Sequence, residues 1–357
     1  RRLSWPVIAF VLLATLSTLL AAHRHEAFRE LRLVIIEPAL FGWALLACPL
    51  TKRDRWRVVD FYLLGAVVIA LIGLVQYFLL GDVIHAEGGI PRLRSIYGSP
   101  NNVGLYLGRT LPLLLAVTLF GKGELFGKEG KKRGWPLALN RRLLYTLALP
   151  PVGLALLLSL SRGAILFGIP AGVITLGLLA GGRWRKFTLS ALLLFAVALI
   201  PLFQTPRFAG LLDTTSGTTH FRLSLWRSAW QMFLEHPLWG VGPDNFLYAY
   251  RTRYVLPSAW EEFNLAHPHN WLLDFASRLG ILGLGAFLWI QFGFWRRAIA
   301  LGTNPQTQNR ALILGLAGSM AVSLAHGLVD ASYFYIDLAF VFFLTLAGVQ
   351  WNTMRTE

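Results

Sequence analysis

Ten apolar runs, each long enough to cross about 30 Å of hydrocarbon as a helix, recur along this chain. They lie at about 4–22, 31–50, 58–80, 101–120, 143–160, 163–180, 188–203, 271–295, 311–331 and 335–351. In lipid every backbone amide must find its partner within the protein, so such a pattern predicts an all-α, polytopic transmembrane protein of about ten spans. Composition agrees: 55% hydrophobic and 14% charged residues leave too few charges to cover a soluble surface of 357 residues. Pro38, Pro112 and Pro170 fall inside runs, which membrane helices tolerate where neighbours satisfy the freed carbonyl. The first run follows two arginines and imitates a signal peptide, but it lacks a cleavage site and nine more runs follow. The single cysteine, Cys48, excludes a disulfide framework and a cysteine-based zinc site.

Three regions follow: transmembrane helices over 1–203, an external loop over 204–270, and transmembrane helices over 271–357. A cytoplasmic N-terminus puts 20 of the 33 lysines and arginines in inner segments, including all six lysines (Lys52, Lys122, Lys128, Lys131, Lys132 and Lys186). That is the positive-inside rule, and it places both termini in the cytoplasm. The net charge of +15 is therefore mostly topogenic, and no nucleic-acid partner is implied. The loop 204–270 carries Trp226, Trp230, Trp239 and Trp260 among arginines and histidines, which predicts short helices lying on the membrane surface.

Four external clusters are candidates for chemistry. Arg92 and Arg94 precede Pro100, Asn101 and Asn102 at a helix start, where asparagines cap free amides and arginines suit an anion. Ser161-Arg162-Gly163 forms the whole turn between the fifth and sixth runs; Arg162 can snorkel to head groups or bind a ligand. His220 to Trp230 follows a loose helical rhythm in which Arg222 and Trp226 share a face, a spacing that also fits a cation–π pair. The following Gly240-Val241-Gly242 reads as a turn, because no strand precedes it and no third glycine follows. Last comes His267-Pro268-His269-Asn270 at the mouth of the eighth run. A neutral imidazole there is a competent base near neutral pH, and the spacing lacks the partners of a zinc motif, so no metal or other cofactor is expected.

Within the apolar runs or at their ends sit Glu37, Asp60, Asp274, Asp330 and Asp337, which are functional candidates by default. His326 and Asp330 are four apart on one helical face, and Asp330 can orient a histidine or balance an arginine.

The ordered series Arg94 to Asn101, Ser161 to Gly163, Arg222 to Trp230, His267 to Asn270 and Gly327 to Asp330 resembles the O-antigen ligase and polymerase superfamily. Each motif alone is weak, but their order, outer-side placement and relation to the long loop are fairly specific. The resemblance implies an inverting, metal-independent glycosyltransferase at the outer face of a bacterial inner membrane, with its active site facing the periplasm. Its donor would be a glycan on undecaprenyl pyrophosphate, and its acceptor a sugar hydroxyl on a lipid-linked or free glycan. It implies His269 as general base with His267 secondary, and Arg162, Arg222 and Arg94 on the pyrophosphate. Asn101, Asn270 and His326 are further candidates for the substrate groove. Family ligases commonly have twelve spans against the ten counted here, and an absent N-terminal pair would preserve the orientation. A polymerase extending one lipid-linked chain with another would use the same residues. A transporter, the class suggested by bicarbonate-uptake relatives, normally shows inverted repeats and midplane polar pairs. No repeat is found here, and the candidates gather at one face, which favours an enzyme.

Overall fold

The computed structural model describes residues 4–86, 89–121, 140–205, 208 and 217–351. Lys122, Lys128, Lys131 and Lys132, the outermost residues of both termini and most of 206–216 lie outside the described residues, with the expectations attached to them.

Helices occupy the apolar runs. They are α1 (Ser4–Leu20), α2 (Arg24–Glu30) continuing into α3 (Glu37–Ala47), α4 (Lys52–Val75), α5 (Pro100–Phe120), α6 (Arg141–Leu158), α7 (Ile169–Ala180) and α8 (Arg183–Phe203). After these come α9 (Gly217–Glu235), α10 (Phe246–Ala249), α11 (Trp271–Thr303), α12 (Arg310–His326) and α13 (Ile336–Gln350). The described strands are a two-residue pair, Ile84–His85 with Pro91–Arg92. Among the described residues, five helical stretches are long and apolar enough to cross a membrane, at 52–80, 100–120, 141–158, 183–201 and 271–303, and four further apolar helices are shorter.

Local chemistry explains many boundaries. Thr51 and Asp54 form a reciprocal capping box at α4. Ser99, not an asparagine, caps α5 by accepting the Asn101 amide, and Pro100 fills the first helical position. Two prolines expected inside spans follow a π turn: Leu31–Ile36 leads into Pro38, and Ala164–Gly168 into Pro170. Each turn shifts the hydrogen-bond register just where a proline nitrogen cannot donate.

The chain divides into two compact units. One comprises 49–200, 297–325 and 348–357. Its centre is α5, packed through small residues: a Cβ on Gly318 would fall 2.6 Å from Pro112, and one on Gly172 would fall 3.0 Å from it. Such close approach is how helices associate where the hydrophobic effect between them is lost to lipid. Asp60 is explained structurally here, since Arg141 forks onto both its oxygens at 2.9 Å and the Tyr145 hydroxyl donates at 2.7 Å, joining α4 to α6. On α8, Leu189, Leu193, Leu194, Val197 and Ile200 are all exposed, an apolar surface of the kind a lipid-facing helix presents.

The other unit comprises 1–48, 201–296 and 326–347. An aromatic spine runs through it: Phe275 stacks on Phe287 at 4.0 Å and meets Phe10, Tyr333 and Phe334 within 6.0 Å. On α9, Leu225, Ala229 and Met232 pack against Phe246, Tyr250 and Tyr254, while Trp230 and Leu234 stay exposed. The glycine-rich turn after α9 inserts beside α11. Val241 donates to Ser277, Gly242 to Arg278 and Ile281 to Pro237, at 2.8–2.9 Å. These bonds replace helical ones where α11 breaks at Gly280 (φ 65°). A side chain on Gly280 would fall 2.2 Å from the Leu238 carbonyl oxygen, and one on Gly240 would strike the Arg278 backbone at 2.3 Å. Irregular backbone within a long apolar helix is tolerated when its polar groups find partners inside the protein, as these do.

Candidate active site

His267 and His269 lie in the loop that leads into α11. Asn270 caps that helix, its side-chain oxygen accepting the Leu273 amide at 3.2 Å and its carbonyl accepting the Asp274 amide. The same asparagine donates to the Leu328 carbonyl at 3.0 Å, and the Trp271 amide donates to Gly327 at 2.8 Å. The histidine loop is thus sewn to the Gly327–Asp330 turn that follows α12. Asn270, a groove candidate in sequence, serves in this structure as a cap and a stitch.

That stitching brings Asp330 Oδ1 to 2.9 Å from His269 Nδ1. The carboxylate is buried, and the same oxygen accepts the Ala331 amide, which fixes its direction. An imidazole held by Nδ1–H donation to a carboxylate presents its Nε2 lone pair as a base, and the carboxylate stabilises the imidazolium that follows proton uptake. His269 takes a left-handed backbone conformation (φ 51°), which costs a non-glycine residue about 1 kcal/mol and persists only where its surroundings over-determine it.

His267 packs edge-on to His269, with ring centroids 4.4 Å apart, and against Tyr335 at 5.8 Å. Burial first, and then the neighbouring His269, hold its pKa well below the ordinary histidine range, so it stays neutral at neutral pH. His326 is buried, with Nε2 3.8 Å from Asp330 Oδ2. Arg222, near the start of α9, lies close enough for its charge to act on both His267 and Asp330.

Three further candidates, Arg162, Arg94 and Asn101, belong to the other unit. Arg162 is buried in its tight turn. Arg94 is engaged by Asp82, with Nη2 at 2.7 and 2.8 Å from the two carboxylate oxygens. Asn101 accepts from Arg92 Nη2 at 2.8 Å, while Arg92 Nε donates to the Ser159 carbonyl. An anion at Arg94 must therefore compete with Asp82. Glu37 pairs with Arg32 at 3.3 Å, and Asp337 accepts the Leu338 amide.

His267, His269 and Asp330 also offer one ligand atom each within 4.8 Å of one another, a donor set that suits a transition metal. The direct His269–Asp330 bond engages His269 Nδ1 and one of the two Asp330 oxygens. Two residues beside the loop escaped sequence reasoning. Tyr335 gave no local signal, whereas Arg278 stands four residues after Asp274 in an apolar helix, a spacing that marks an ion pair.

Residues 147–288 match the family described as O-Antigen ligase. The teichuronic acid biosynthesis protein TuaE of Bacillus subtilis (strain 168) is 28% identical over 142 residues, which are 38% of this chain and 27% of that protein. An O-antigen ligase of Salmonella typhimurium (strain LT2) is 22% identical over 329 residues, or 88% of this chain and 76% of that protein.

Proposed function

We propose that this multi-pass member of the O-antigen ligase superfamily is an inverting glycosyltransferase that moves a glycan from undecaprenyl pyrophosphate to an acceptor hydroxyl, with His269 as its base. The observation that carries the reading is the 2.9 Å contact between His269 Nδ1 and Asp330 Oδ1, which leaves Nε2 to take a proton. The acceptor oxygen attacks the anomeric carbon from the face opposite the leaving group. Its proton passes to His269 Nε2, and undecaprenyl pyrophosphate departs with the bonding electron pair. Arg222 stabilises the charge that develops on the pyrophosphate, as a guanidinium fork can without a metal. Arg162 and Arg94 keep the pyrophosphate-binding role that the resemblance gives them, Arg94 only by exchanging Asp82 for the substrate.

The ten-span arrangement with a cytoplasmic N-terminus and a periplasmic site belongs to this reading. Lysine placement and the exposed apolar surface of α8 support it. A polymerase would use the same step with a lipid-linked acceptor, and the match to a protein of teichuronic acid biosynthesis favours keeping it as the second reading.

The test is direct. Purified protein in detergent or nanodiscs is given undecaprenyl-pyrophosphate glycan with lipid or glycan acceptors, and products are separated by thin-layer or gel analysis. Transfer that survives a chelator supports the reading. Activity lost to the chelator and restored by a divalent ion would instead assign the two histidines and Asp330 to a metal. No transfer to any acceptor would refute it.

A further inference from the structure

Arg278 is a buried arginine on α11, nine residues beyond His269, and its guanidinium is almost fully subscribed. Nε donates to Asp274 Oδ1 at 2.7 Å, and Nη1 reaches both Glu30 oxygens at 2.7 and 2.8 Å. Nη2 donates to the Ala266 carbonyl at 2.6 Å, and the planar group lies 4.7 Å from the Phe334 ring centroid. The carboxylates are buried with the arginine: side-chain exposure is 3% for Arg278, 9% for Glu30 and 1% for Asp274. Glu30 also accepts the Asp244 amide, and Asp244 receives Arg29 at 2.7 Å. The cluster thus ties the end of α2, the 242–245 turn and the first turns of α11 to one carbonyl.

That carbonyl belongs to the residue just before His267. Downstream, Asn270 and Trp271 anchor the other end of the loop to Gly327 and Leu328. Between these two anchors lie His267, Pro268 and the left-handed His269. A stability role alone is weakly supported by charge, because replacing a buried ion cluster with apolar residues of similar volume is often neutral or stabilising. A four-way planar fork with its last donor on a loop carbonyl is instead suited to holding geometry.

We propose that Arg278, clamped between Glu30 and Asp274, is a positioning residue that holds the His267–His269 loop through Ala266 in the geometry the base needs. The assignment rests on the function proposed above. The clamp touches no reacting atom, so its loss should lower turnover and leave donor affinity nearly intact.

Removing Arg278 alone strands two buried carboxylates and threatens the fold, so the decisive variant removes all three charges: Glu30→Gln, Asp274→Asn and Arg278→Met together. The expected protein is folded, with donor KM within about threefold of wild type and kcat about 100-fold lower, the scale of a roughly 1 Å misplacement. Diethyl pyrocarbonate should modify His267 and His269 several-fold faster, as mapped by peptide mass spectrometry, because the loop has lost its upstream anchor. A folded triple variant with wild-type kcat and unchanged histidine reactivity would overturn the proposal and leave a purely structural ion cluster. If the triple variant does not fold, Arg278→Lys decides by the same two readouts, since it keeps the charge and loses the fork. Should wild-type protein transfer no glycan, the functional reading falls, and histidine reactivity still decides whether Arg278 holds the loop.

Discussion

Asp330→Asn is the substitution that most directly examines the dyad. It keeps the shape of the side chain, and Ala331 can still donate to the remaining oxygen. What is lost is the negative charge 2.9 Å from His269 Nδ1. As His269 takes the acceptor's proton, its neutral Nδ1–H bond becomes an imidazolium–carboxylate contact inside a water-poor turn. Hydrogen bonds to charged groups are worth about 1.5–3 kcal/mol, so a transition state that has gained most of this loses roughly 10- to 150-fold in kcat when the charge is removed. If the new amide turns its NH2 toward Nδ1, the imidazole is held in the wrong tautomer and the loss approaches about 10⁴-fold. Single-turnover transfer at saturating donor measures the step, and donor KM should stay within about threefold because Asp330 touches no phosphate in this reading. A purified, folded Asp330→Asn protein with kcat within about twofold of wild type would refute the role of the dyad in catalysis.

His269→Ala should abolish transfer while leaving donor binding measurable, and robust turnover by that variant would remove the proposed base. Because His267 is held neutral, His267→Gln should keep far more activity than His267→Arg; equal rates would show that its charge state is irrelevant. Arg162→Lys, which keeps a charge and loses the fork, should lose most transfer, and near-normal rates in both it and Arg162→Ala would leave that arginine structural. Gly280→Ala puts a Cβ 2.2 Å from a backbone oxygen at a positive φ, so it should destabilise the fold by more than the roughly 1–2 kcal/mol of conformational strain alone, read as a lower melting temperature. In a Cys48→Ser background, an impermeant thiol reagent applied outside should label Trp260→Cys and spare Lys186→Cys; labelling of both in intact cells would defeat the orientation.

The sequence by itself determined the helical class, the places where helices run and which short motifs deserved attention. Those properties are local: an apolar run long enough for lipid leaves its backbone only the helix, and the placement of lysine is the ground on which the orientation is proposed. Even the turn at Gly240-Val241-Gly242 was legible, because these glycines lack the preceding strand and the third glycine of a dinucleotide fingerprint. Its purpose was not legible, since only the fold shows that the turn fills the break in α11 at Gly280. The same holds for Asp60, which looked functional by depth and is held by Arg141 from 81 residues away. Asn101 was likewise read as a cap, but Ser99 caps the helix and the Asn101 side chain accepts from Arg92. Tertiary structure alone paired His269 with Asp330 across 61 residues and Arg278 with Glu30 across 248. Periodicity reports which face of a helix is apolar, whereas the partner of a buried charge is chosen by how distant segments pack, and no spacing along one chain encodes that choice.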